Sequence, residues 1–451
     1  MSRRRRVVLV PAPFQGHITP MLQLGSILES SGFSIVVAHS EYNAPDPLNH
    51  SGFMFLPLPD NVADCDKTFM NMMNVLDTIN INCKLPFQDY LAQLMENVEV
   101  DGEVVCIVFD TIMTFVNDVA NSLQLPTIVM RPFSSAYSRA HEYLMDLRSE
   151  NCLPLPECQM GETVPNFHPF KFKDMPLLLT NEIPDRLFEF LKKSHDIGSS
   201  CAIIWNTMDE IEHHHLSLVQ KDFQVPIFSI GPFHKMAPTS KTSLIEEDNN
   251  CIEWLDKQAP NSVLYVSLGS ITSMDEKELM ETAWGLIGSE QPFLWVIRDK
   301  SVNGAKFNSQ LPDGFDEIIG NRGCIVKWAP QKKVLQHSAV GGFWSHCGWN
   351  STLESISEGV PMICRPDFSD QRINTRYVTD VWNVGWEMEG PVDRESVEKI
   401  VTKLMVDVEG KDMRKKAVDM KHKFQDSMKE GGSSFLCLNE LTEFISTLSG
   451  L

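Results

Sequence analysis

Short apolar runs alternate with helix-like stretches along most of the chain. The first apolar run is Arg6–Val10, and Pro11–Ile18 is predicted to be a loop. Thr19 is predicted to cap a helix with Pro20 at its first position, and the next run is Ser34–Ala38. Strands that alternate with helices form a mostly parallel sheet covered on both faces. The pattern therefore predicts an α/β fold.

A polar segment, residues 235–250, interrupts this alternation and reads as a linker. Strand-like runs occur on both sides of it, at Val104–Phe109, Thr127–Met130, Ala202–Trp205 and Ile227–Ile230 before it, and at Val263–Leu268, Phe293–Ile297, Cys324–Lys327, Gly341–Ser345 and Pro361–Cys364 after it. We therefore expect two α/β domains that face each other, with a ligand cleft between the carboxyl ends of their strands.

The amino-acid composition excludes some classes of binding partner. The 451 residues suffice for two or three domains, and 39 basic against 60 acidic residues give a formal charge of -21. So acidic a surface repels nucleic acid and anionic lipid. The 11 cysteines include no CxxC pair, which favours free thiols and a cytoplasmic location. No apolar run is long enough for a membrane span.

Several nucleotide and metal motifs are missing or weak. The chain has no GxGxxG after its first strand and no GxxxxGK[ST], which disfavours a dinucleotide oxidoreductase and a P-loop. Asp64-Cys65-Asp66 resembles the metal-binding DxD of some glycosyltransferases, but it lies in a polar loop. We expect no metal site.

The densest motif is the segment Trp328–Gln371. Within it, Gly341–Ser345 reads as a strand, His346–Trp349 as a tight turn and Asn350–Glu358 as a helix. The start of such a helix offers backbone N–H groups and about half a positive charge, which suits a diphosphate. An ordinary capped helix is the alternative, since Asn and Ser are common caps.

Other side chains of this segment suit the rest of a nucleotide sugar. Trp328 offers a flat face to a base, and Glu354 can accept two ribose hydroxyls. Asp370 and Gln371 supply acceptors and donors for sugar hydroxyls. Each residue alone is more typical of a core or a surface, so their combination carries the prediction.

The segment resembles, without a gap, the signature of plant family 1 UDP-dependent glycosyltransferases. The matching motifs are WAPQ, HCGWNSTLES, GVPMI and the closing Asp-Gln. The resemblance continues through PFQGHI, VLYVSLGS, PFLWVIR and GGSS, nearly the whole chain. Within the family, the chain is similar to the branch that glucosylates cytokinins, small acids and diterpenoids.

The resemblance implies a GT-B fold, with two Rossmann-like domains facing across a cleft. They would be an acceptor-binding domain at 1–234, the linker, and a UDP-sugar-binding domain at 251–430, with a C-terminal helix, 431–451, returning to the first. It also implies an inverting, metal-independent enzyme of plant specialised metabolism. UDP-glucose would be a co-substrate, no cofactor would be needed, and a monomer is expected.

The resemblance assigns donor-binding residues position by position. They are Trp328 and Ala329 for uracil, Gln331 and Glu354 for the ribose, His346, Asn350 and Ser351 with Ser270 for the diphosphate, Trp349, Asp370 and Gln371 for the sugar, and Gly348 as a further donor-binding residue. In the family a closing Gln accompanies glucose and a His accompanies galactose, so UDP-glucose is the expected donor.

His17 and Asp110 form the predicted catalytic pair. His17 follows the first strand and Asp110 ends the strand Val104–Phe109, so both can face one crevice. A neutral imidazole oriented by a carboxylate is a general base. A helix-capping or surface histidine is the alternative. The resemblance implies that His17 takes the acceptor's proton and that Asp110 holds His17.

The sequence indicates fewer residues for the sugar and acceptor pockets than for the nucleotide site. Many family members carry a Thr that meets the sugar's terminal hydroxyl where this chain has Pro132, so that hydroxyl is either missing here or supplied by Ser134. Phe14, His141 and Phe368 are candidates to line the acceptor pocket. The acceptor atom stays open between a phenolic, carboxylic or alcoholic oxygen and a nitrogen.

Two other functions fit parts of the sequence. A nucleotide-sugar-binding sensor would need the segment Trp328–Gln371 but neither His17 nor Asp110, so the presence of both favours an enzyme. A GT-B epimerase or UDP-sugar hydrolase would turn over without an acceptor.

Overall fold

The computed structural model describes residues 5–62, 69–96, 102–176, 185–238, 242–298, 311–312 and 314–448. The chain forms two compact units. The first comprises Met1–Pro154, Thr180–Leu244 and Asp426–Leu451, and the second comprises Leu155–Leu179 and Ile245–Gln425. Asp64-Cys65-Asp66 lie outside the described residues.

Each unit contains a parallel sheet. The strands are β1 Arg5–Val10, β2 Ser34–Ser40, β3 Met54–Leu58, β4 Glu103–Asp110, β5 Thr127–Arg131, β6 Ala202–Trp205, β7 Ile227–Ser229, β8 Val263–Ser267, β9 Phe293–Val296, β10 Gly323–Val326, β11 Val340–Ser345, β12 Met362–Cys364 and β13 Gly385–Glu387. Their order is β3-β2-β1-β4-β5-β6-β7 in the first unit and β10-β9-β8-β11-β12-β13 in the second. The predicted α/β fold is confirmed.

Helices connect the strands. They are α1 Gln15–Ser30, α2 Phe69–Asn82, α3 Lys84–Glu96, α4 Phe115–Leu123, α5 Ser135–Ser149, α6 Asp185–His195, α7 Asp209–Asp222, α8 Phe233–Met236, α9 Asn250–Leu255, α10 Glu276–Gly288, α11 Phe315–Ile319, α12 Gln331–Gln336, α13 Trp349–Ser357, α14 Gln371–Arg376, α15 Arg394–Met405, α16 Val408–Met428 and α17 Ser433–Thr447. Among the described residues, no helix has the length and apolarity that crossing a membrane requires.

The first sheet is buried on both faces. Val7 and Leu9 of β1 pack into one hydrophobic cluster, and Val8 and Val10 pack into another. Side chains alternate between the two faces of a strand, so a continuous apolar run supplies both clusters. Helix α17 adds Leu441 to the cluster of Val7 and Leu9, so the C-terminal helix is part of the first unit.

A buried arginine ties the segment Leu155–Leu179 into the second unit. The Arg376 guanidinium donates from Nε and Nη2 to the two carboxylate oxygens of Asp174, both at 3.1 Å. Arg376 also bonds to Asp380 at 2.9 Å and Glu387 at 2.7 Å. This segment precedes the predicted linker, and no local sequence pattern reveals a pairing across some two hundred residues.

Helix α1 begins earlier than predicted. Phe14 is the extended residue before it, with φ -121° and ψ 144°, and the helix starts at Gln15. Thr19 is therefore inside the helix, and its hydroxyl donates to the carbonyl of Thr242 at 3.1 Å rather than capping. The predicted loop through residue 18 is wrong after Phe14, and His17 lies in the first helical turn.

Both sheets reverse their strand order once. The reversal lies between β1 and β4 in the first sheet and between β8 and β11 in the second. In open α/β sheets, ligands bind outside the carboxyl ends of the strands at such a reversal. His17 and Asp110 lie at the first reversal, and Ser270 and His346 follow the two strands at the second.

Candidate active site

His17 and Asp110 meet at the reversal of the first sheet. His17 stands in α1, directly after β1, and Asp110 is the last residue of β4. Their Nδ1 and Oδ2 atoms are 2.7 Å apart, which is hydrogen-bond distance. The Asp110 side chain is fully buried, whereas 26% of the His17 side chain is exposed. The two residues, 93 positions apart, therefore form a fixed pair with an accessible imidazole.

The surroundings of the pair fix its orientation. The second carboxylate oxygen of Asp110 accepts from the backbone N–H of Ile112 at 3.2 Å. The Phe14 carbonyl accepts from the backbone N–H of His17 at 2.8 Å, and the two rings lie edge to face with centroids 6.0 Å apart. Phe14, a predicted acceptor residue, thus lies beside the predicted base.

In the second unit, the predicted ribose residues form a hydrogen-bonded cluster. The Gln331 side-chain amide donates to Glu354 at 2.7 Å and to the Ser351 hydroxyl at 3.0 Å. Tyr265 of β8 donates its hydroxyl to the Gln331 carbonyl oxygen at 3.2 Å. The residues come from β8, α12 and α13, so three elements converge on one side chain.

Burial sets the electrostatics of this cluster. Glu354 is 8% exposed, and desolvation raises the pKa of its carboxyl group, while the hydrogen bond from Gln331 opposes the rise. Trp328, predicted to stack on uracil, follows β10 and is half-buried, and Ala329 beside it is buried. The residues predicted to bind uracil are close in the chain to one predicted to bind the ribose, because Gln331 is two residues after Ala329.

The predicted diphosphate residues occupy the turn between β11 and α13. The helix begins at Trp349, one residue earlier than predicted, and Gly348 precedes it without a side chain to cap it. Asn350 and Ser351 lie in its first turn, where backbone N–H groups and the helix dipole favour an anion.

Two glycines allow the backbone to pack closely against the His346 ring. A Cβ atom on Gly269 would lie 2.5 Å from the His346 Cε1, and one on Gly348 would lie 2.6 Å from its Nε2. Gly269 also has φ +74°, a conformation that favours glycine. The loop after β8, which carries Ser270, therefore packs directly on His346. Burial, and secondarily the charge of Arg298, lowers the pKa of His346 to about 4, so its imidazole is neutral near pH 7.

The predicted sugar residues lie at the start of α14. The Gln371 carbonyl oxygen accepts from the backbone N–H groups of Asp367 at 2.7 Å and Phe368 at 3.2 Å. Since both partners are donors, the orientation of the Gln371 amide is determined. Asp370 accepts from the Asn374 side chain at 2.7 Å. Gln371 can therefore offer a sugar only its NH₂ group.

The Trp349 side chain is in the core of the second unit. It is 2% exposed, and its ring lies against Trp382 and Tyr377, with centroids 6.3 and 6.5 Å away. Only the backbone of Trp349 is therefore suited to touch a sugar.

The predicted acceptor residues come from different parts of the chain. His141 of α5 is 7% exposed, its ring centroid lies 4.1 Å from that of Tyr137, and burial lowers its pKa to about 3. Phe368 belongs to the second unit. Ser134, the candidate to supply the hydroxyl that Pro132 lacks, is fully buried, and its own hydroxyl accepts from the Tyr137 N–H at 3.3 Å.

Sequence reasoning missed two supporting residues. Asn374 donates to Asp370 and also to the Cys347 carbonyl at 3.0 Å, which links the sugar and diphosphate residues. Its position one helical turn after Asp370 was the available signal. Tyr265, behind Gln331, reads in the sequence as an ordinary strand residue. Within the described ranges, no group of three or more His, Cys, Asp or Glu side chains is arranged to hold a metal ion.

The two Rossmann-like units are those of the GT-B fold of plant glycosyltransferases. The family profile described as UDP-glucoronosyl and UDP-glucosyl transferase matches residues 54–420. The chain belongs to this family, in its plant family 1 branch, and is a UDP-sugar-dependent glycosyltransferase.

Known relatives and a solved structure are similar to the protein over nearly its whole length. It is 51% identical over 451 residues to UDP-glycosyltransferase 76E1 of Solanum lycopersicum, covering 99% of this chain and 94% of the relative. It is 43% identical over 452 residues to flavonol 3-O-glucosyltransferase UGT76E12 of Arabidopsis thaliana, covering 99% and 98%. Phytolacca americana UGT2, solved with UDP-2-fluoro-glucose and pterostilbene, superposes with a TM-score of 0.81 at 26% identity, covering 98% of this chain and 100% of that chain.

Proposed function

We propose that the protein transfers glucose from UDP-glucose to a nucleophilic oxygen of a small lipophilic plant metabolite, with inversion at the anomeric carbon. The observation that carries this proposal is the 2.7 Å contact between His17 and the buried Asp110. The name of the Arabidopsis relative, a flavonol 3-O-glucosyltransferase, supports an oxygen acceptor and glucose. A nitrogen acceptor is the second possibility for the same site.

In the proposed reaction, His17 removes the acceptor's proton. Asp110 accepts the hydrogen on Nδ1, so the basic lone pair of the neutral ring is on Nε2. As the acceptor O–H bond breaks and its proton passes to Nε2, the oxygen forms a bond to the anomeric carbon. The bond from that carbon to the diphosphate breaks, and UDP leaves with the electron pair. A single displacement inverts the configuration.

In the proposed donor site, local dipoles stabilise the leaving UDP. The turn at Gly348 and the first turn of α13 present backbone N–H groups to the diphosphate, and His346 adds a neutral hydrogen-bond donor. A protein with a charge of -21 can hold an anion in this way without a metal ion or cofactor. We expect full activity in excess chelator. Cytoplasmic location and a monomeric state stay predictions.

The proposed preference for glucose rests on Gln371. Its carbonyl oxygen is held by two backbone N–H groups, so the NH₂ group donates to the sugar in one fixed direction. Asp370 next to it supplies acceptors. The loop after β5 has Pro132, which carries no hydroxyl, and Ser134, which is buried. We therefore expect no hydroxyl of this loop to bind the sugar.

The proposal is tested with the purified protein, UDP-glucose and an extract of small plant metabolites. We expect mass spectrometry to find products heavier by one hexosyl unit and NMR to find a β-configured anomeric proton, with and without chelator. Consumption of UDP-glucose at the same rate without any acceptor would instead indicate a hydrolase. An α-configured product would contradict single displacement.

A further inference from the structure

Arg298 is a partly buried cation at the edge of the sheet that carries the proposed donor site. It stands two residues after β9, and β9 is paired with β8. Its Nη2 donates to the backbone carbonyl of Thr272. Thr272 is 8% exposed and lies in the loop after β8, downstream of Gly269 and Ser270.

That loop connects Arg298 with His346. Gly269 approaches the His346 ring so closely that a Cβ atom there would lie 2.5 Å from Cε1. Arg298 therefore fixes one end of a loop whose other end forms a wall of the His346 site. The charge of Arg298 also contributes, after burial, to the lowered pKa of His346.

We propose that Arg298 is a positioning residue of the donor site: by binding the Thr272 carbonyl it holds the Ser270 loop against His346 and keeps that ring buried, so that His346 meets the diphosphate as a neutral hydrogen-bond donor. The inference rests on the proposed function, because it assumes that the diphosphate binds at His346.

The surroundings of His346 support a neutral ring on geometric grounds. Its Nδ1 is buried and has no hydrogen-bond partner among the residues that the structure describes. A protonated ring would carry an N–H on both nitrogens, and the one on Nδ1 would be buried without an acceptor. With one proton, on Nε2, the ring donates a hydrogen bond and leaves only a lone pair unsatisfied.

Three titratable groups on the elements around the turn form hydrogen bonds of their own. Cys347, on the same turn, directs its Sγ to a backbone carbonyl. Glu354, further along α13, accepts from a glutamine, and Asp370, before α14, accepts from an asparagine. Among the described residues, it is the charge of Arg298, from the end of β9, that acts on His346.

The test is calorimetry with UDP-glucose in the absence of an acceptor. Both ends of its diphosphate are esterified, so the ligand itself does not titrate near pH 6.5. Titrations near that pH, about the ordinary pKa of histidine, in two buffers of different ionisation enthalpy give both affinity and proton uptake. We expect no proton uptake with the wild-type protein. In Arg298→Met the loop loses its contact at Thr272 and no longer keeps the His346 ring buried, and the nearby positive charge is gone. We therefore expect affinity to fall about tenfold to a hundredfold and binding to take up part of a proton.

Two variants serve as controls. Arg414 is also partly buried and also donates to a backbone carbonyl, that of Gly341, from Nε at 3.2 Å and Nη2 at 2.9 Å. Gly341 lies near the amino end of β11, so Arg414→Met should bind UDP-glucose normally without proton uptake. Arg298→Lys keeps the charge and should show weaker binding without proton uptake. If Arg298→Met does not fold, Arg298→Lys still tests whether the contact of Arg298 with the loop supports donor binding.

Wild-type affinity without proton uptake in Arg298→Met would overturn the inference. Weaker binding without proton uptake, equalled by Arg414→Met, would overturn it as well, because a general loss of stability would explain both. Glu354→Ala separates this failure from failure of the donor site itself. If Glu354→Ala keeps its affinity, the proposed donor site is wrong; if it loses affinity while Arg298→Met does not, only the role of Arg298 is wrong.

Discussion

The two sheets reverse their strand order at equivalent places and carry different chemistry there. At the reversal between β1 and β4, one hydrogen bond joins two side chains, His17 and Asp110. At the reversal between β8 and β11, glycine backbones, a helix start and a neutral imidazole converge. The first arrangement suits movement of a proton, and the second suits an anion. The same topological feature thus carries two different kinds of chemical group, which are determined by the residues of its loops.

The two places also differ in how strongly their residues depend on each other. In the first unit, an accessible imidazole rests on one buried carboxylate. In the second, Gln331, Ser351 and Glu354 are all hydrogen-bonded together. Changes in the first unit should therefore act mainly on turnover, whereas changes in the second should act on donor binding and be non-additive with one another.

The largest expected effect is that of His17→Ala. Removal of a positioned base typically lowers the rate about 10²–10⁴-fold, so kcat with a hydroxyl acceptor should fall within that range. A thiol acceptor loses its proton more easily and should suffer less. Steady-state kinetics with a phenol and the corresponding thiophenol measure the difference. Equal losses with both acceptors would argue against proton removal by His17.

Asp110→Asn should slow turnover less than His17→Ala, because the imidazole remains and loses only its orientation. Asp60 offers a matched control. It is another buried carboxylate of the first unit, 3% exposed, and accepts from the backbone N–H groups of Tyr42 at 2.7 Å and Val62 at 2.9 Å. Asp60→Asn should leave kcat unchanged, and a similar loss in both variants would point to stability instead.

Glu354→Ala should weaken UDP binding by about tenfold to a hundredfold, the loss of a charged hydrogen-bond acceptor. Gln331→Ala should weaken it as well, and the double variant should lose less than the two single losses combined, since the side chains share one bond. Isothermal titration with UDP checks this. Independent, additive losses would mean that the cluster does not bind ribose as a unit.

Gln371→His should raise the use of UDP-galactose relative to UDP-glucose by about tenfold, the scale of one hydrogen bond. The Gln371 amide is oriented by the N–H groups of Asp367 and Phe368, so its NH₂ group reads a hydroxyl at a fixed position. Competition between the two donors measures the ratio. An unchanged ratio would remove Gln371 from the sugar site.

The smallest expected effect is a pH dependence of ribose recognition. The pKa of Glu354 is raised by burial, so the carboxylate takes up a proton as the pH falls through a value above its ordinary 4.5. Protonation removes one acceptor for the ribose hydroxyls. The preference for UDP over 2′-deoxy-UDP should therefore decline as the pH falls, and it should be flat in Glu354→Gln. A flat profile in the wild-type protein would contradict the ribose assignment.

The features at the two reversals that the sequence predicted are those that depend on a local sequence pattern. The strands followed from apolar runs. The rule for parallel strand ends predicted only that His17 and Asp110 can face one crevice, and the family resemblance implied that Asp110 holds His17. The predicted start of α1 was wrong: the chain is already helical from Gln15, and the Thr19 hydroxyl, instead of capping, bonds to the Thr242 carbonyl, 223 residues away, a contact that no local pattern indicates. The fixed amide of Gln371 could not be predicted, because it depends on the three-dimensional path of its loop.

The central claim is that His17 acts on the acceptor's proton while the second unit binds the donor. The most direct test measures turnover and UDP-glucose affinity on the same preparation of His17→Ala. We expect turnover with a hydroxyl acceptor to fall about 10²–10⁴-fold while the affinity for UDP-glucose stays that of the wild-type protein. Wild-type turnover would contradict the role of His17 as the base. Loss of UDP-glucose binding would show that His17 supports the structure instead.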